Sequence, residues 1–127
     1  MKRLNCATGS LLLMVAPAWA AGDGNDSAKL NLAASSGCMA CHHIEPSAKG
    51  PNDLPPIGPA WRDVAVKYKD VRGASEQLTR TVMTGTNPYA SHWKGKVSGL
   101  AMPPNAVAIN EADARRLVEW ILTLDKK

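Results

Sequence analysis

The stretch Gly37-Cys38-Met39-Ala40-Cys41-His42 places two thiols three residues apart, with an imidazole directly after the second. The rest of the chain reads outward from it. One helical turn between the cysteines sets their sulfurs at the separation of two vinyl groups on one porphyrin, so that each thiol can add across a vinyl to form a thioether. His42 is then held under the ring, where its imidazole can ligate iron. This is the spacing of c-type haem attachment. A thioredoxin-like dithiol would want a preceding strand in a βαβ pattern, and only an export signal and a short helix precede these cysteines. A structural zinc site wants four ligands. His42 and His43 complete that count on paper, but adjacent residues point in different directions and no second cysteine pair follows.

A chain of 127 residues is one domain, near the small end of what buries a core by itself. It contains no Phe, and aromatics make up only 5%. A single covalently attached haem c would supply the large flat apolar body that the side chains do not, so the chain without haem is expected to be loosely folded. Residues 1–20 read as a cleaved secretory signal, with an uncleaved N-terminal anchor as the alternative. Lys2 and Arg3 form its charged end, Leu11 to Ala16 its apolar run, and Ala18-Trp19-Ala20 its small-x-small site, with cleavage before Ala21. The apolar run is too short to span a bilayer, so no membrane span is expected after cleavage. Cys6 precedes that run and leaves with the signal. Loss of Lys2 and Arg3 lowers the formal charge of +4 by two, to +2, which two haem propionates would cancel. Nucleic acid is therefore not an expected partner. The expected compartment is a bacterial periplasm, where exported thiols meet oxidising conditions.

From Ala21 the mature domain, residues 21–127, opens with a small polar lead-in to Asp26. Asp26 or Ser27 is expected to cap a short helix through Leu30, Ala33 and Ala34 that ends at Gly37. Pro46, Pro51, Pro55 and Pro56 keep residues 44–57 out of helix and central strand. Pro59 suits a first helical position, and Trp61, Val64, Ala65 and Tyr68 then fall on one helical face. Ser75 is expected to cap a third helix with Leu78 and Val82 on one face and Gly85 at its end. Residues 86–109 read as irregular, a length natural for a segment folded over a cofactor. Asn110, with Asp113 three residues on, caps a last helix carrying the stripe Ala114, Leu117, Val118, Ile121 and Leu124.

A second axial ligand decides the chemistry. The mature candidates are Met39, Met83, Met102, His43 and His92. Met39 and His43 are tied too near the attachment motif to reach the far face of a porphyrin, and Met83 follows Val82 on a helix as a packing residue. Met102 lies in a loop stiffened by Pro103-Pro104. Stiffening reduces the entropy lost on forming a weak iron–thioether bond. Met102 is the expected ligand opposite His42, with His92 or an open site as the alternatives.

Together these residues resemble the class I cytochromes c, specifically the small bacterial monohaem kind. The resemblance runs through Gly37 to His42, Gly58-Pro59-Ala60-Trp61-Arg62-Asp63-Val64-Ala65, Ala101-Met102-Pro103-Pro104-Asn105-Ala106-Val107 and Trp120-Ile121-Leu122. It implies an all-α fold of about four short helices around one haem, with the first and last helices crossing near it. It also implies that a proline carbonyl accepts from the His42 Nδ1–H. Downstream residues select Pro59, although Gly50-Pro51 stands at the spacing the family usually shows. Asn105 would match the asparagine that hydrogen-bonds the ligand sulfur. Trp93 would match the tryptophan that donates to a haem propionate, with a packing role as the alternative. The chain departs from the pattern in two longer loops, between His42 and Gly58 and between Trp93 and Met102, and in Ala101, where a proline is common.

The function implied is single-electron transfer by a monomeric carrier rather than catalysis, since a filled sixth position leaves no place for substrate. Its partners would be periplasmic redox proteins: a donor dehydrogenase or bc1-type complex, and an acceptor oxidase or reductase. Lys94 and Lys96 lie near the Met loop, placed either to steer an acidic partner or as ordinary surface lysines. Three other readings remain. The chain could be a fixed cytochrome subunit of a periplasmic dehydrogenase, an enzyme or gas sensor with an open sixth site, or a thiol oxidoreductase.

Overall fold

The computed structural model describes residues 22–46 and 49–126, with residues 22–24 and 51 by backbone alone. The expected export signal lies outside the described residues. Four helices follow in order: α1 (Gly22–Ser35), α2 (Trp61–Tyr68), α3 (Ala74–Thr84) and α4 (Glu111–Ile121). Short 3-10 turns occupy Cys38–Ala40, Pro51–Asp53 and Leu124–Lys126, and the described residues contain no strand.

Helix α1 begins earlier than its sequence suggests. No proline interrupts the segment before Asp26, so the helical ladder runs on upstream to Gly22. Asp26 therefore lies inside α1 rather than capping it. Its carboxylate accepts from Trp120 Nε1 at 2.8 Å, which ties α1 to α4. Gly37 stops the helix as expected. Its φ of 76° is the left-handed conformation that glycine adopts without a Cβ penalty, and its N–H donates to Ala34 O.

Helix α2 starts at Trp61, two residues after Pro59, because its first N–H groups find tertiary acceptors. Trp61 N–H donates to His43 O at 2.8 Å and Arg62 N–H to Ile44 O at 3.1 Å. The segment just after the CxxCH motif thus caps α2, in place of any side chain. Helix α3 also differs at its start. Gly73, at φ 74°, is its N-cap, and Ser75 sits in the first turn with its Oγ buried and unpartnered. A left-handed glycine lets the chain pass straight from the turn at Val71 into the helix. Helix α4 begins as the sequence indicates. Asp113 N–H donates to Asn110 Oδ1 at 2.9 Å while Asn110 Nδ2 donates to Asp113 Oδ2 at 2.7 Å.

The core gathers Ala33 from α1, Trp61, Val64, Ala65 and Tyr68 from α2, Ala74 from α3 and Ala114, Leu117, Trp120 and Ile121 from α4. Both expected apolar stripes are buried on the faces that their periodicity marks. Many of these side chains are small. Leu78 and Val82, on the inner face of α3, stay only half-buried because they face a cleft. Residues 86–109 form turns and extended segments without helix, as expected. The two long loops meet: Ser98 N–H donates to Pro56 O and Gly99 N–H to Ile57 O, at 2.9 and 3.0 Å. They build one rim of that cleft.

Candidate haem site

Between α2, α3, α4 and the two loops lies about 1070 Å³ of space free of protein atoms, part of it open to solvent. Its walls include Val64, Leu78, Val82, Leu117, Val118 and Ile121, and among the described residues no Asp, Glu, Lys or Arg side chain lines it. A large apolar cavity with a few convergent polar groups is what a cofactor site requires.

Cys38 and Cys41 both reach this cleft, each a half-buried free thiol. The Cys38 carbonyl accepts from Cys41 N–H at 3.3 Å and from His42 N–H at 3.0 Å. This one-turn coil keeps both cysteines and His42 on the wall of the same cleft. Burial pushes the Cys38 thiol up; a backbone hydrogen bond opposes this and the neighbouring Cys41 adds to it. A raised thiol is the opposite of what a redox dithiol needs. Among the described residues, no three His, Cys, Asp or Glu side chains gather to hold a bare metal ion.

His42 Nδ1 lies 2.9 Å from Pro59 O. A carbonyl only accepts, so Nδ1 carries the proton and Nε2 keeps its lone pair. Burial holds the imidazole below the ordinary histidine range; the Pro59 bond opposes this, and His43 adds to it. The ring is therefore neutral near pH 7, the form that ligates a metal. Gly58 makes this placement possible, because a Cβ there would sit 2.8 Å from His42 Cε1 and 3.0 Å from Cys41 O. The other Gly-Pro pair lies elsewhere, with Pro51 in its own 3-10 turn.

Of Met39, Met83, Met102, His43 and His92, only Met102 lines the cleft. Met39 and Met83 pack against the core. His92 is exposed, and its Nδ1 lies 2.8 Å from Tyr68 Oη. The Met102 peptide is clamped from both sides by one residue. Its N–H donates to Thr86 Oγ1 at 2.8 Å, and its carbonyl accepts from Thr86 N–H at 2.9 Å. Gly85 lets the strands of this clamp close: it has φ 79°, and a Cβ there would lie 2.8 Å from Met102 O. Thr86 carries no motif, and sequence reading did not single it out.

Asn105 holds the same loop through backbone carbonyls. Its Nδ2 donates to Pro103 O at 2.7 Å and to Val82 O at 3.3 Å. Its two acceptors come from the Met102 loop itself and from helix α3. Trp93 is half-buried on the cleft wall, with Lys67 Nζ 5.2 Å from its ring centroid.

These features define an all-α protein built to close around a covalently attached haem: two thiols on one turn, an oriented neutral imidazole, and an apolar slot faced by a thioether. The sequence model of the family described as Cytochrome c matches residues 28–125. The chain belongs to the cytochrome c family, electron-transfer proteins whose cofactor is covalently bound haem c. Cytochrome c-552 of Nitrosomonas europaea is 35% identical over 101 residues, 80% of this chain and 82% of that protein. Cytochrome c-551 of Allochromatium vinosum is 40% identical over 97 residues, 76% of this chain and 86% of that protein. The crystal structure of the wild-type Nitrosomonas europaea cytochrome c552 superposes with a TM-score of 0.59 at 35% identity, covering 76% of this chain and 99% of that one.

Proposed function

We propose that this chain is a periplasmic one-electron carrier whose haem iron is held between His42 and Met102, with Cys38 and Cys41 as the thioether anchors. One observation carries the reading: Met102, alone among the Met and His side chains that compete for the role opposite His42, lines the cleft. Haem c supplies a metal that cycles between ferric and ferrous states. The protein's part would be to hold the His42 and Met102 side chains still, so that little rearranges when the charge on the metal changes. Pro59 fixes the imidazole by its Nδ1–H. Thr86 pins the methionine peptide, and Asn105 braces the loop behind it. The apolar walls lower the local polarity, and a neutral His/Met pair favours the ferrous state and raises the potential.

Export with removal of residues 1–20 fits a CxxCH chain, and no described helix is long and apolar enough to cross a membrane. Redox partners of this kind meet through small, salt-sensitive contacts. The test is the absorption spectrum of purified protein in both oxidation states. The ferric wild type is expected to show the weak red charge-transfer band of a methionine–iron bond, and Met102→Ala to lose it. Survival of the band in Met102→Ala, or its absence from the wild type, overturns the ligand assignment.

A further inference from the structure

A file of aromatic rings leads from His42 out of the cleft. His42 stacks on Trp61 with centroids 6.0 Å apart and planes at 22°. Trp61 meets Trp120 edge-to-face, with centroids 5.8 Å apart at 81°. Trp120 Nε1–H then donates to Asp26 Oδ1 at 2.8 Å, on helix α1. Both tryptophans are buried, at 4% and 6% exposure, whereas Asp26 is only half-buried between exposed Asn25 and Ser27. Neither Trp120 nor Asp26 lines the cleft.

We propose that Trp61 and Trp120 form an electron route from the iron ligand His42 to the α1 surface at Asp26, separate from the open edge of the cleft. The proposal rests on His42 ligating iron. Electronic coupling decays less steeply through π contacts and hydrogen bonds than across gaps, and each step of this file is a ring contact or a hydrogen bond. Packing explains an edge-to-face tryptophan pair. It does not call for a carboxylate on the indole N–H, since a neutral carbonyl would satisfy that donor equally. A carboxylate does something a carbonyl cannot: it stabilises positive charge on the indole as an electron leaves, and it accepts the proton. With a high-potential one-electron oxidant of the Ru(III) polypyridyl class at the α1 surface, Trp120 gives up an electron to it and its N–H proton moves to Asp26 Oδ1. Ferrous iron then refills the indole through Trp61 and becomes ferric, and the proton returns. The net change is one electron lost by iron and gained by the oxidant.

The test uses the holoprotein with a ruthenium polypyridyl label on Asn25→Cys, oxidised to Ru(III) by flash-quench, and a control label on Val107→Cys, 99% exposed beyond the Met102 loop. With the label at position 25, transient absorption is expected to show an indolyl radical that decays as ferric haem appears. Trp120→Phe should abolish the radical and slow ferric formation several-fold, while leaving the rate from the label at 107 unchanged. Asp26→Asn keeps an oxygen acceptor for the indole in nearly the same shape but removes the charge and the proton acceptor; the route predicts slower ferric formation from position 25 alone, whereas a purely structural role predicts the same change for both labels. Equal rates in the parent, Trp120→Phe and Asp26→Asn, or equal slowing for both labels, overturns the proposal. Absorption spectra recorded before the flash report His42 ligation separately, so failure of the ligand assignment is distinguishable from failure of the route.

Discussion

Thr86→Val isolates what the clamp on Met102 contributes. The substitution keeps the β-branched shape and the main-chain bond from residue 86 to Met102 O, but removes the hydroxyl that accepts from Met102 N–H at 2.8 Å. That N–H is then left without its partner in a half-buried loop. An unsatisfied buried donor costs about 1–3 kcal/mol, and the partial exposure of Met102 places this one near the lower figure. Loosening the closed loop by about 1 kcal/mol raises the open fraction about fivefold. Cyanide or imidazole binds ferric iron only when the methionine has left, so the apparent dissociation constant for either should fall by the same factor. Equilibrium titration of the ferric holoprotein, followed in the Soret region, measures it. Thr86→Ser retains the hydroxyl and should bind external ligand close to the parent affinity. Parent-like affinity in Thr86→Val, or equal tightening in Val and Ser, would refute the reasoning, because the hydroxyl would then not be what holds the loop.

The remaining expectations concern His42, the Met102 loop and the α4 cap. Gly58→Ala puts a Cβ 2.8 Å from His42 Cε1. Such overpacking costs about 1–3 kcal/mol, so the thermal midpoint should drop by about 4 °C or more and the His42 ring resonances should shift as the ring leaves Pro59 O. Asn105→Ala loses two bonds to Val82 O and Pro103 O, lowering stability by about 1–2 kcal/mol in denaturant titration. Asn105→Asp should be worse than Ala at neutral pH, since it turns a carboxylate toward two carbonyl oxygens. The Asp113 carboxyl is held below its ordinary range, first by its hydrogen bond from Arg116 and then by that from Asn110. A depressed folded-state value stabilises the fold above the ordinary carboxylate pKa, and the contribution disappears as pH falls through the lowered value. The stability advantage of the parent over Asp113→Asn should therefore shrink as pH is lowered from about 7 to below about 4.

Local chemistry made much of this protein legible before any coordinate. CxxCH needs only one turn of backbone to present two thiols and an imidazole together, so Cys38, Cys41 and His42 could be read as a unit. The stripes on α2 and α4, the asparagine cap at Asn110 and the stop at Gly37 likewise depend on residues within a few positions of one another. Met102 stood out because its own loop offered no other soft ligand.

Relations between distant segments were decided by the tertiary structure. The start of α2 is set by a distant segment: the carbonyls of His43 and Ile44 accept its first N–H groups, and no propensity within α2 encodes them. Asp26 reads locally as a cap, yet the indole N–H of Trp120, 94 residues on, takes its carboxylate. Asn105 reads as a partner for sulfur, yet its amide bridges Pro103 O and Val82 O, 23 residues back on α3. Thr86 has no local signal, because its role exists only once the end of α3 lies against the Met102 loop. Hydrogen-bond donors and acceptors pair with whatever the fold brings within about 3 Å, and that proximity is a property of the packed chain rather than of any stretch within it.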